Sequence, residues 1–174
     1  NVFDGSTFTL YIKGSHSRLD KHLGVFDQTI LSNTSDGSVI ILMEAQGKKY
    51  LMRLTLNDII KQQSRYSGIT FTYTNETKNI AGYSCKKAIA RLKDGTTFPV
   101  YYTTGIAPGN AYTDVMFKNL KGIPLEYETT MQKLKMTITA SSVDLSPVPA
   151  SLFDIPATGY REITLKELQQ KEGK

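Results

Sequence analysis

Apolar side chains at every second position, in short runs divided by tight-turn residues, constrain this chain more than any other feature. Phe8, Leu10 and Ile12 alternate with Thr9, Tyr11 and Lys13. Ile69, Phe71 and Tyr73 alternate with Thr70, Thr72 and Thr74, and Leu134, Met136 and Ile138 alternate with Lys135, Thr137 and Thr139. A strand turns successive side chains to opposite faces, so this period marks strands with one apolar face. Asp36-Gly37, Gln46-Gly47 and Asp94-Gly95 fall between such runs at hairpin spacing. Ser38 to Glu44 with Lys49 to Leu54 reads as one hairpin, and Ser84 to Leu92 with Thr97 to Thr103 as another. Ile123 to Thr130 with Lys133 to Val143 reads as the last. Arg18 to Leu23 and Gln28 to Leu31 read as shorter pieces, and Ser151 to Pro156 as a short extended segment. Pro99 lacks an amide hydrogen, so its strand should begin at an edge or a bulge. Gly82, between two strand-like runs, reads as a bulge or a close approach of backbone.

The period changes to that of a helix in two places. Leu56, Ile59 and Ile60 follow Thr55, a capping residue, and Asp58 stands three places after it. Thr164-Leu165-Lys166-Glu167 is a capping box, with Leu165 and Leu168 on the inward side of a short helix. Val115 to Leu120 reads as a helical turn or an extended piece. Together these elements predict a mostly β chain, one large curved antiparallel sheet or barrel with two or three short helices. The length of 174 residues fits one domain, 1–174, with no linker or internal repeat. A chain of this size can form a real core without disulfides.

Candidate chemistry is sparse. The net charge of +5 is spread along the chain, with its densest groups at Lys48-Lys49, Lys86-Lys87 and Lys133 with Lys135. Nucleic-acid binding needs a continuous basic stripe with interleaved aromatics, so no nucleic-acid partner is expected. His16 and His22 have no metal partner at a ligating spacing, and no metal or cofactor is expected. Cys85 is the one cysteine. Lysines beside it would favour a reactive thiolate, whereas an inward place on its strand would make it a small hydrophobe, the favoured reading. No nucleophile elbow or phosphate-binding glycine loop is present, and the chain is not expected to be an enzyme. The longest apolar run, Val39 to Met43, is too short to span a bilayer, which needs about 20 residues.

The apolar strand faces are left as the candidate site: Leu10, Ile12, Phe71, Tyr73, Tyr102, Leu134, Met136 and Ile138. In a closed, filled barrel these residues are core. In a half-open sheet they line a groove for an apolar ligand.

Three segments carry a family resemblance. Lys78-Asn79-Ile80-Ala81-Gly82-Tyr83-Ser84-Cys85-Lys86-Lys87-Ala88 is the first. Val100-Tyr101-Tyr102-Thr103, followed by Leu120-Lys121-Gly122-Ile123-Pro124-Leu125-Glu126, is the second. Leu152-Phe153-Asp154-Ile155-Pro156 with Gly159-Tyr160 is the third. In order and spacing they resemble exported Bacteroidota proteins of the domain of unknown function 4412 family, over roughly Ser6 to Leu168. Tyr101 stands where related chains often have Trp. The resemblance implies a half-barrel like that of the periplasmic lipoprotein carriers, with an apolar concave face and no catalytic residue. It also implies a periplasmic or outer-membrane-associated place, with membrane association only through an N-terminal anchor removed or absent. The expected function is then a non-catalytic binding or carrier module for a lipid, a lipidated protein or another apolar ligand. The alternative is a structural or protein-interaction module of the envelope with a filled core.

Overall fold

The computed structural model describes residues 3–107, 109, 114–131 and 133–172. The chain is mostly β, with two short helices, and neither of its sheets closes into a barrel. It forms two compact units, one of residues 1–59, 109–112 and 147–174, the other of 60–108 and 113–146. Each unit has its own sheet. The strands are shared between two sheets because the helix and 3-10 turn after the fifth strand carry the chain off the first ladder, and the sixth strand starts a second one.

The first unit holds β1 (Thr7–Lys13), β2 (His16–His22), β3 (Asp27–Asn33), β4 (Ser38–Ala45) and β5 (Lys48–Thr55). They pair antiparallel in chain order, and β11 (Arg161–Glu162) joins the far side of β5 in parallel. Leu10, Leu19, Ile30, Ile41 and Met52 face one another in a single row across all five antiparallel strands. The same face is covered at its β3–β5 end by Leu56 and Ile59 of α1 (Leu56–Gln62) and by Leu165 and Leu168 of α2 (Leu165–Glu172). Val39, Ile41 and Met52 are buried there, each worth about 1.5–3 kcal/mol for leaving water. On the opposite face Leu31, Ile40, Leu42 and Leu51 form a second cluster, against which Tyr160 packs.

Both helices start where the capping residues predict. The Asp58 amide donates to Thr55 Oγ1 at 3.2 Å, and Asp58 Oδ2 accepts from the Thr55 amide at 2.8 Å. Thr164 and Glu167 repeat the arrangement ahead of α2. Ser151 to Pro156 is expected to be extended, but its first three residues belong to a 3-10 turn at Ala150–Phe153. Arg18 reaches across from β2 and donates to the Leu152 carbonyl at 2.8 Å, satisfying a turn oxygen that no strand could pair.

The second unit holds β6 (Thr70–Ile80), β7 (Tyr83–Arg91), β8 (Thr97–Thr103), β9 (Ile123–Met131) and β10 (Leu134–Thr139), in the order β10-β9-β8-β7-β6. Pro99 lies in the central strand, but the β8–β9 pairing begins only at Val100. The start of β8 is therefore an edge on that side, as a proline requires.

Gly82 is no bulge. Ala81 and Gly82 both have positive φ, 50° and 83°, and form the tight turn between β6 and β7. The bulge of this pair lies earlier, between Tyr73 and Thr77. A Cβ on Gly82 would meet nothing within 4 Å, so the cost of a side chain there is conformational. Gly82→Val is expected to lower stability by about 1–2 kcal/mol, and Gly82→Asn by less than half of that, because Asn tolerates positive φ. Urea unfolding of both variants checks this; equal losses would mean that the φ angle is not the cause.

Candidate functional site

The eight apolar residues divide between the two units. Leu10 and Ile12 lie on β1, on the sheet face that α1 and α2 cover further along. Leu10 is 45% exposed and Ile12 half-buried. The other six share one face of the five-stranded sheet. The register aligns Tyr73, Ala88, Val100, Tyr127 and Ile138 in a row across all five strands. Phe71 stands beside this row on β6, Tyr102 on β8, and Met136 and Leu134 on β10. Tyr73 and Tyr102 meet edge to face with ring centroids 5.4 Å apart.

What covers this face comes from the chain itself. A 3-10 turn at Val115–Phe117 is capped by Asp114, whose carboxylate accepts from the Met116 amide at 3.0 Å. The turn buries Met116 and Phe117, and the Phe117 ring meets Tyr127 edge to face at 4.7 Å. Burial pushes the Tyr127 phenol well above its ordinary range, and Asp114 and Tyr66 add to the shift. Tyr73 Oη accepts from the Lys121 amide at 3.1 Å, and the Lys121 ammonium lies 5.0 Å from the centre of the same ring.

Tyr102 is thus a core residue, as are Ala88 and Val100 in the middle of the row. Phe71, Tyr73, Met136 and Ile138 are half-buried, and Leu134 is 42% exposed. Met116, Phe117 and Tyr127 were absent from the candidate set. The sequence does hold a signal for Met116 and Phe117, a capping Asp directly before an apolar triplet.

No family model and no curated protein matches this chain. A solved structure, PNGF-II in a C2 space group, is similar at a TM-score of 0.46 and 16% identity over 96% of this chain. The chain spans 31% of that protein's length.

Two shallow clefts lie within the units. One, of about 90 Å³, is lined by Leu51, Arg53, Tyr160 and Glu162 among others. The other, of about 70 Å³, lies in the second unit beside Phe98, Met116 and Thr129. Among the described residues no group of three or more His, Cys, Asp and Glu side chains could hold a metal ion. His22 pairs with Asp27 at 2.8 Å, and the His16 ring lies 5.6 Å from that of Phe153. No helix among the described residues is long and apolar enough to cross a membrane.

Cys85 has no exposed surface and packs with Ile80 and Leu125 on the other face of the five-stranded sheet. Burial raises its thiol above the ordinary range, which keeps it protonated at neutral pH. The folded protein should therefore resist a bulky thiol reagent, with labelling at least 100-fold slower than in denaturant. Labelling at comparable rates in both conditions would show that Cys85 is accessible.

Proposed function

We propose that this chain is a non-catalytic protein-interaction module of the cell envelope, whose apolar sheet faces are filled by its own side chains. The envelope setting and the kinship with domain of unknown function 4412 rest on the sequence resemblance alone. The observation that carries the interaction reading is the cover on the five-stranded sheet. Phe117 occupies the place over Tyr127 where a groove ligand would lie, and Met116 is buried beside it in the same turn. A carrier needs a face that stays open when empty, with a pocket of about 300–1,000 Å³. Two clefts among the described residues, about 90 and 70 Å³, are well below that size.

The carrier reading keeps one point in its favour. Leu134, Met136 and Ile138 leave apolar surface on the edge strand β10. An apolar fluorophore that brightens out of water, titrated into the wild-type protein, separates the readings, with native mass spectrometry to detect a co-purifying lipid. The interaction reading expects no saturable uptake and no lipid mass added to the protein. Saturable uptake, or a retained lipid, would replace it with the carrier.

A further inference from the structure

We infer that β1 is the surface through which two copies of this chain pair, edge to edge, into one continuous sheet. This rests on the interaction reading above and names its partner. Among the described residues, β2 is the only strand bonded to β1, so the outer row of β1 amides and carbonyls has no strand opposite it. Such an edge is a template for another strand unless something blunts it.

The other edges are blunted. β11 has two residues. β6 is broken by the irregularity between Tyr73 and Thr77 and carries Glu76 and Lys78. β10 carries Lys135 and follows Lys133. β1 is unbroken, and its one charge, Lys13, stands at its last residue. From Thr7 to Ile12 it contains no charge, proline or glycine, and Leu10 is 45% exposed.

The sequence of β1 is also complementary to itself. An antiparallel pair about a two-fold axis through Leu10 sets Leu10 against Leu10, Phe8 against Ile12, Thr9 against Tyr11 and Thr7 against Lys13. Aromatic and β-branched residues opposite each other stabilise a sheet, and no like charges meet. A parallel, in-register pair would set Lys13 beside Lys13. The antiparallel pairing also extends the row Leu10–Leu19–Ile30–Ile41–Met52 across the axis into its own copy. This self-complementarity selects a second copy over an unrelated peptide.

Sedimentation across a concentration series should give a mass approaching twice 19.4 kDa. Leu10→Lys, which places two ammonium groups opposite each other on the axis, should return the protein to a monomer with unchanged circular dichroism. Single cysteines test the register, since Cys85 is buried. Opposed residues in an antiparallel pair have Cα atoms about 4.5–5.5 Å apart, within disulfide range. Leu10→Cys should therefore oxidise to a covalent dimer. Phe8→Cys places its two thiols four residues out of register, about 13 Å apart, and should cross-link at least tenfold more slowly. A monomer at every concentration overturns the inference, as does a dimer that Leu10→Lys leaves intact or that cross-links equally through both cysteines. A monomer that excludes the apolar fluorophore overturns self-pairing alone; saturable uptake of the fluorophore overturns the interaction reading itself.

Discussion

Gly122→Ala is expected to cost about 3 kcal/mol, more than any other glycine substitution in the second unit. A Cβ at Gly122 would lie 2.4 Å from the Thr103 carbonyl oxygen and 2.8 Å from Cδ2 of Tyr102. Neither neighbour can yield cheaply. Thr103 is paired with Ile123 in the ladder, so moving its carbonyl disturbs the start of β9. The Tyr102 ring is held edge to face against Tyr73 on the opposite side of β7. Gly95→Ala is the control. Gly95 has φ of 87° but open space around it, so alanine there costs only the conformational penalty, about 1 kcal/mol. Urea unfolding of the two variants should separate them by about 2 kcal/mol at an unchanged denaturant slope. Equal losses would mean that the chain between Phe117 and Ile123 can move aside, and that the close approach is not structural.

The strand faces were legible because the period of two is a local property, and each run carries its own evidence. Alternation groups Leu134, Met136 and Ile138 within β10, but it is the pairing register that sets them on one face with Phe71, Tyr73 and Tyr102, since β6 and β10 lie at opposite edges of the sheet. Other features depend on partners distant in sequence. Arg161 and Glu162 form a strand only because Tyr50 and Leu51 offer a free edge, and nothing in two residues announces that. The stretch from Asn75 to Asn79 is polar, yet it continues β6 because β7 extends far enough to pair with it. The division into two sheets is decided by where the ladder stops being continued. For the candidate site, the sequence supplied the apolar faces but could not say what lies over them. Cover is a tertiary fact, and here it comes from a short 3-10 turn inside a stretch that reads equally well as helical or extended.

Phe117→Ala removes that cover and should produce the largest loss of all, about 3–4 kcal/mol. Truncating a buried phenylalanine forfeits its transfer free energy and leaves a cavity whose walls relax only partly. Phe117 is 2% exposed, and its ring rests on Tyr127 in the row that crosses all five strands of the second sheet. The strands beneath are tied by their own ladder and should not collapse into the space. The cavity would be bounded by the Tyr127 ring, and an apolar cavity of this kind stays dry and accepts small aromatic molecules. Two changes are therefore expected together: a lower melting temperature, and a rise in that temperature when benzene or a similar solute is added, absent from the wild-type protein. Phe117→Leu keeps most of the volume and should lose under about 1.5 kcal/mol without gaining a ligand. Wild-type protein that is already stabilised by the same solute would mean that the face is open as it stands, and the filled-core reading would fall with it. A Phe117→Ala variant that loses less than about 1 kcal/mol would mean that the turn contributes little to holding the sheet, leaving the row from Tyr73 to Ile138 to find its cover elsewhere.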